Sequence, residues 1–294
     1  MNDRRLRENR NVPINLSGDQ FRALGHDLVD RIADLFDTLP GRPVTTGERP
    51  SQIRALLDAE RALPEDGVDA RALMTRAADL LIEHSLYNGH PRFWGYITAP
   101  AAPIGVLGEL LASAVNPNLG GWPLSPMSTE IELQTLRWIA ELIGYPRDGG
   151  GILVSGGNMA NFVGFLAARA AAGGADLRRQ GMGAADHARL RVYASAETHT
   201  WIDKAADLFG LGTDAVRRIP TDDDLRIDTR ALREQIAADR RSGERPFMVI
   251  GTAGSVSTGA VDPLPELAQI CREQGLWFHV DGAYGGFAVA APEA

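Results

Sequence analysis

Apolar positions in the first third of the chain recur at helical spacing. Phe21, Leu24, Leu28, Ile32, Leu35 and Leu39 advance by three or four residues and line one helical face, and Ser17 ahead of them can cap the first turn. "LPGRPVTTGERP" then breaks the pattern with three prolines and two glycines. Ser51 and Asp69 are placed to cap two further helices, the second with Leu73, Ala77, Leu80 and Leu81 on one side. No alternating run interrupts residues 1–90, which are therefore predicted to be a helical N-terminal segment. Helices with one apolar stripe each cannot bury themselves well alone. They are expected to lie on a larger body, either the rest of the chain or a second subunit.

"HPRFWGYITAPAAP" (90–103) is a transition, followed by helix-like runs at 104–115 and 128–143. The loop between them, "NPNLGGWPLSP", reads equally well as the lining of a site or as a packed connector. After Gly149 the period changes. "GILVS", "RVYAS", "FMVIGTA" and "LWFHVD" read as strands, alternating with helical stretches at 158–172, 200–208, 229–241 and 263–274. Short β-branched runs between helices predict an α/β domain over 91–294, with a mostly parallel sheet. "AARAAAGGADLRRQGMGAAD" reads as a mobile link within it.

Composition narrows the partners. The 294 residues are 44% hydrophobic and 23% charged, enough apolar material for a large core. The formal net charge of −8 argues against nucleic acid or an anionic membrane as a partner. Cys271 is the single cysteine, so no intrachain disulfide is possible and a reducing compartment fits; within its helical run it reads as a small core residue. "MNDRRLRENRNVP" lacks the apolar stretch of a secretory signal, and no run reaches the roughly 20 apolar residues of a membrane span. The expected location is cytoplasmic. The histidines and the cysteine show no metal-ligand spacing, so no metal is expected. Of 30 basic residues, all but Lys204 are arginine.

In an open parallel sheet, ligands bind beyond the carboxyl ends of the strands. Ser155, Gly156, Gly157 and Asn158 follow the first predicted strand; Glu197 and His199 follow the second; Thr252, Gly254 and Ser255 follow the third; Asp281, Gly282 and Tyr284 follow the last. "SGGNMAN" leads into a helix N-terminus, where free N–H groups favour an anion such as phosphate. A tight strand–helix turn without a ligand would look the same. No Gly-Lys-Ser/Thr is present, and the glycine spacing is not that of a dinucleotide turn. Asp281 ends an apolar strand, where a carboxylate needs a partner. A protonated ring nitrogen is one such partner. A phosphate turn, a histidine to face a ring and a carboxylate for its nitrogen together describe a pyridoxal phosphate site.

On "HPRFWGY", "SPMSTEIE", "GGGILVSGGNMAN", "SAETHTWIDKAADLFG", "GTAGSVSTGAVDPL" and "WFHVDGAYGG", the chain from about residue 50 onward resembles the pyridoxal-phosphate-dependent amino acid decarboxylases of the aromatic-amino-acid and glutamate group. The resemblance implies an aspartate aminotransferase-type large domain and a cytoplasmic homodimer whose helical N-terminus wraps its partner. It implies decarboxylation of an L-amino acid. Gly157 and Asn158 would hold the cofactor phosphate, and His199 would stack on the pyridine ring. Thr252 would lie beside the ring, Ala283 against its face, and Asp281 at its nitrogen. Tyr96 would border the substrate. His199 and Asp281 are the catalytic pair so implied.

Departures from the family pattern bear on activity. The family's cofactor lysine follows a Pro-His pair downstream of the aspartate, and no such motif occurs in these 294 residues; the small C-terminal domain is missing too. Lys204 does not match the cofactor-lysine position. The expectation is an inactive fragment of such a decarboxylase. Another lyase or aminotransferase on the same fold, and a non-catalytic binding module, remain the rival readings. The substrate is open, although Trp122 in the "NPNLGGWPLSP" loop would suit an aromatic one.

Overall fold

Ser17 caps the first helix in both directions. In a computed structural model describing residues 15–183 and 189–291, its hydroxyl accepts from the Gln20 N–H at 3.2 Å, and its own N–H donates to Gln20 Oε1 at 2.9 Å. This reciprocal pair satisfies two end groups of α1 (Gly18–Thr38). Helix α2 (Pro50–Leu57) starts one residue ahead of Ser51, because Pro50 takes the first helical position and Arg49 the cap, with the Arg49 N–H donating to Gln52 Oε1 at 2.8 Å. Asp69 caps α3 (Ala70–Glu83) as its spacing predicts, accepting from the Ala72 N–H at 3.0 Å.

These helices belong to the first of two compact units, Met1–Leu110 and Leu111–Ala294. Within that unit, Arg31 pairs with Asp79 at 2.6 Å to join α1 to α3, and Arg42 pairs with Glu83 at 3.1 Å. The His90 of "HPRFWGY" is a structural clamp. Its Nδ1 accepts from the Arg92 N–H at 3.0 Å, which leaves Nε2 to donate to the Arg42 carbonyl at 2.9 Å. Among the described residues of this unit Ala78 is the one buried apolar side chain. That agrees with the expectation that single-striped helices cannot bury themselves.

Helix α4 (Pro103–Val115) spans the boundary between units, and α5 (Pro126–Leu142) belongs to the second. The second unit carries α6 (Gly157–Gln180), β1 (Leu190–Ser195), α7 (Trp201–Leu208), β2 (Val216–Ile219), α8 (Thr229–Arg241), β3 (Arg245–Thr252), α9 (Leu264–Gln274) and β4 (Trp277–Asp281). The strand order is β2-β1-β3-β4, and every pairing is parallel. Side chains alternate across the sheet. Leu190, Val192, Ala194, Met248 and Ile250 pack with Phe165 and Ala168 of α6 and Trp201, Ile202, Ala205 and Ala206 of α7. On the other face, Tyr193 and Val249 pack with Leu232 and Ile236 of α8 and Leu267, Ile270 and Cys271 of α9. The result is a three-layer α/β/α arrangement with its core against both faces of the sheet. Cys271 is indeed a core residue, and burial pushes its thiol up to about 12.

Three sequence expectations need correction. "GILV" is not a strand among the described residues: Ile152 and Leu153 stay exposed, and the Leu153 N–H donates to Glu132 Oε1 at 2.9 Å. An extended run becomes a strand only beside a partner ladder, and β4 stands at the edge of this sheet without pairing to it. Most of the supposed mobile link is the second half of α6, which runs on to Gln180; residues 184–186 of that link lie outside the described ones. Strand β2, "VRRI", escaped the pattern because two arginines hide its period. Arg217 pairs with the buried Asp239 at 3.1 Å and Arg218 with Asp203 at 2.6 Å, so this edge strand tolerates both charges.

Candidate active site

Because all four strands are parallel, their carboxyl ends share one edge. Strands β3 and β4 run in register there, with Thr252 opposite Asp281. Both side chains are buried, each 6% exposed. The Asp281 carbonyl accepts from the Ala253 N–H at 2.9 Å, and its carboxylate accepts from the Ala283 N–H at 3.1 Å through Oδ1. Among the described residues Asp281 forms no ion pair. A buried carboxylate with acceptor capacity left over and no cation beside it suits a ligand that brings its own N–H⁺.

Ala283 ties this strand end to α6. A Cβ added at Gly157 would come within 3.1 Å of the Ala283 Cβ, so the glycine leaves room that a side chain would fill. Gly156 caps α6 with φ at +92° and ψ at 168° and offers no side chain to cap it. The first-turn N–H groups of a 24-residue helix are thereby left for an external acceptor. Asn158 lies exposed in that first turn.

His199 stands exposed between β1 and α7. Its Nδ1 accepts from the Trp201 N–H at 3.2 Å, which sets the ring against the start of the helix. Next to it, the buried Thr198 hydroxyl lies 3.5 Å from that of Thr252, joining the ends of β1 and β3. Gly157, Ala283, Asp281, Thr252 and the His199 loop thus form a connected chain of neighbours. Tyr96 belongs to the first unit; its backbone is left-handed, with φ at +60°, its ring is 84% exposed, and Phe93 lies 6.4 Å away. Trp122 donates through Nε1 to Glu130 at 2.9 Å.

The residue-by-residue reading missed three groups behind this front, of which Asp262 and Asn161 are buried and His279 partly so. Asp262 Oδ1 accepts from the Ile227 N–H and Oδ2 from the Thr252 N–H, both at 2.8 Å, which fixes the tip of β3. Burial raises its pKa against the pull of those two bonds. His279 Nε2 bonds to Asn161 Oδ1 at 2.8 Å, and its ring meets Trp201 edge-on with centroids 5.4 Å apart. Burial lowers the His279 pKa, and the nearby Asp281 opposes this only in part. Spacing held a signal for two of them: Asn161 is one turn beyond Gly157, and His279 lies two residues before Asp281 on the same strand face.

A parallel sheet whose carboxyl edge gathers an uncapped helix N-terminus and a buried, cation-free carboxylate defines an α/β protein built for a phosphorylated, ring-nitrogen cofactor such as pyridoxal phosphate, and the residues present fit that group. The sequence profile described as "Pyridoxal-dependent decarboxylase conserved domain" matches residues 50–294. The chain belongs to this family. It is 34% identical over 276 residues to an aromatic-L-amino-acid decarboxylase of Bacillus atrophaeus, covering 94% of this chain and 55% of that protein. It is 32% identical over 266 residues to an L-2,4-diaminobutyrate decarboxylase of Rhizobium meliloti, covering 90% of this chain and 51% of that one. A crystal structure of Oryza sativa TDC with PLP and tryptamine superposes with a TM-score of 0.84 at 32% identity, over 95% of this chain and 58% of that one. The chain therefore spans about half the length of the curated relatives it matches.

Proposed function

We propose that this chain supplies the cofactor-binding half of a pyridoxal-phosphate-dependent L-amino acid decarboxylase. The observation that carries the reading is Asp281: a buried carboxylate, with no cationic partner among the described residues, at the sheet edge where α6 begins. Pyridoxal phosphate at this edge supplies a sink for the electron pair left at Cα when carbon dioxide departs. Asp281 holds a proton on the pyridine nitrogen through a charge-assisted hydrogen bond, which keeps that sink deep. The backbone N–H groups at Gly157 and Asn158 hold the phosphate at the helix N-terminus. His199 and Ala283 bracket the ring and fix its plane, and Thr252 lies at its edge.

Lys204 is not the cofactor lysine in this reading. It lies exposed on α7, whose buried positions are Trp201, Ile202, Ala205 and Ala206. The amine that tethers the cofactor must come from outside these 294 residues, so this chain alone has no useful turnover. The decarboxylase relatives support loss of carbon dioxide as the reaction. Their named substrates include both aromatic amino acids and diaminobutyrate, so the reading extends to an L-amino acid and no further. Assembly with a second copy is part of it: Ile104, Leu107, Leu111 and Val115 of α4 are each more than half exposed.

The test is to give the complete polypeptide carboxyl-labelled L-amino acids with pyridoxal phosphate. Labelled carbon dioxide and the matching amine are expected. Keto acid with retention of label would overturn the reading.

A further inference from the structure

His279 is partly buried on the edge strand β4 and takes no part in the proposed chemistry, yet its ring is held on two sides. On one side stands α6. A Cβ added at Gly164 would lie 2.6 Å from Cε1 and 2.7 Å from Nδ1 of the imidazole, so the glycine is what admits the ring. On the other side stands Trp201 of α7, edge-on at 5.4 Å. Between them Nε2 reaches the buried Asn161 Oδ1 at 2.8 Å. Burial lowers the pKa of the imidazole, so it stands neutral and donates through Nε2.

The two residues joined by this bond each stand beside one anchor of the site. Asn161 is one helical turn beyond Gly157, at the phosphate end. His279 precedes Asp281 by two positions, on the same face of β4, at the ring-nitrogen end. A phosphorylated pyridine is a rigid ligand held at both ends. Its affinity depends on the spacing between helix terminus and carboxylate, because a mismatch forfeits one contact to keep the other.

We propose that His279 is a positioning residue: through Asn161 it sets the span between the phosphate turn of α6 and the carboxylate of Asp281. The proposal rests on the cofactor reading above. It requires that losing the bond harm a ligand gripped at both ends and spare one gripped at the phosphate alone.

The test titrates the 294-residue chain with pyridoxamine 5′-phosphate, which needs no lysine and is followed by its own fluorescence, and separately with inorganic phosphate by ³¹P NMR. His279→Phe and Asn161→Ala are each expected to weaken pyridoxamine phosphate about tenfold and leave inorganic phosphate within about twofold. The double variant should lose no more than either single one, since both remove the same bond. His279→Gln, whose amide N–H can still donate to Asn161, should recover part of the affinity. Unchanged binding of pyridoxamine phosphate by Asn161→Ala would overturn the proposal. So would an equal loss of inorganic phosphate, or additive losses in the double variant. If His279→Phe does not fold, Asn161→Ala and His279→Gln decide by the same criteria. Failure of the unaltered chain to bind pyridoxamine phosphate would instead bring down the cofactor reading, and the proposal with it.

Discussion

Thr252 and Asp281 face each other across β3 and β4, the last register pair at the carboxyl ends of these strands. The backbone there is fully engaged, with the Ala253 N–H on the Asp281 carbonyl at 2.9 Å, while the carboxylate keeps acceptor capacity to spare. Asp281→Asn preserves the shape and removes the charge. Relieving a buried charge that lacks a protein cation should stabilise the free chain by about 1 kcal/mol, seen as a higher urea midpoint. The same change should weaken pyridoxamine phosphate about tenfold and leave its ring nitrogen unprotonated, read by ¹⁵N NMR of labelled ligand. A variant that loses stability while binding normally would show that Asp281 is structural.

Gly156 holds a backbone conformation that is open essentially to glycine alone, with φ at +92° and ψ at 168°. Gly156→Ala should therefore cost about 1–3 kcal/mol of stability by chemical denaturation. The added methyl meets no atom within 4 Å, so the cost is backbone strain and not a clash. If the variant is as stable as the parent, the turn relaxes, and its N–H groups are not held in place for an anion.

The strands that sequence made visible are those whose packing matches their period. "RVYAS" and "FMVIGTA" became β1 and β3 because alternate residues enter two separate cores, and "LWFHVD" became β4 with Leu276 and Phe278 packed on one of them. Strand β2 was hidden because its polar positions find ion pairs, a tertiary fact that no local pattern carries. "GILV" failed in the opposite way: its composition suits a strand, but strand formation depends on a neighbour. The front of the site was legible because glycines, a histidine and an acid stand at strand ends. Its support was not, since Asp262, Asn161 and His279 gain meaning only from partners 118 residues apart or, for Asp262, 10 and 35 apart.

Asp262 uses both carboxylate oxygens on backbone N–H groups, one from Ile227 and one from Thr252. An amide offers one acceptor and turns its NH2 toward the other N–H. Asp262→Asn should thus cost about 1–3 kcal/mol, although it removes a charge that burial disfavours. Hydrogen exchange should show the loss concentrated at the Thr252 amide. An equally stable variant with Thr252 still protected would mean that one oxygen suffices.

The stability of the chain should rise with pH through the imidazole range. Burial lowers the His279 pKa below its ordinary value of 6.5, with Asp281 opposing in part. Below that ordinary value the unfolded chain binds a proton that the folded chain refuses, so stability is present above pH 6.5 and is lost as pH falls toward the folded pKa. The slope from this one group is at most about 1.4 kcal/mol per pH unit. Urea unfolding between pH 5 and pH 8 should show it, and His279→Gln should remove that component. A slope that survives the substitution would assign it to other groups.

Lys204 decides whether this chain can hold a cofactor covalently. It is the only lysine, and it lies exposed on α7 while Trp201, Ile202, Ala205 and Ala206 turn into the core. An amine exposed on the helix surface has no wall to hold an aldehyde against it. Incubation with pyridoxal phosphate followed by borohydride should therefore leave Lys204 no more labelled than an exposed lysine in an unrelated protein, as read by peptide mapping. Lys204→Arg should leave binding of pyridoxamine phosphate unchanged, because neither the phosphate turn nor Asp281 depends on that side chain. Stoichiometric pyridoxyl label on Lys204, accompanied by release of carbon dioxide from an L-amino acid, would overturn the assignment of the tethering amine to residues outside this chain. It would make α7 part of the reacting site, and the stacking role of His199, five residues earlier, would then have to be reassigned as well.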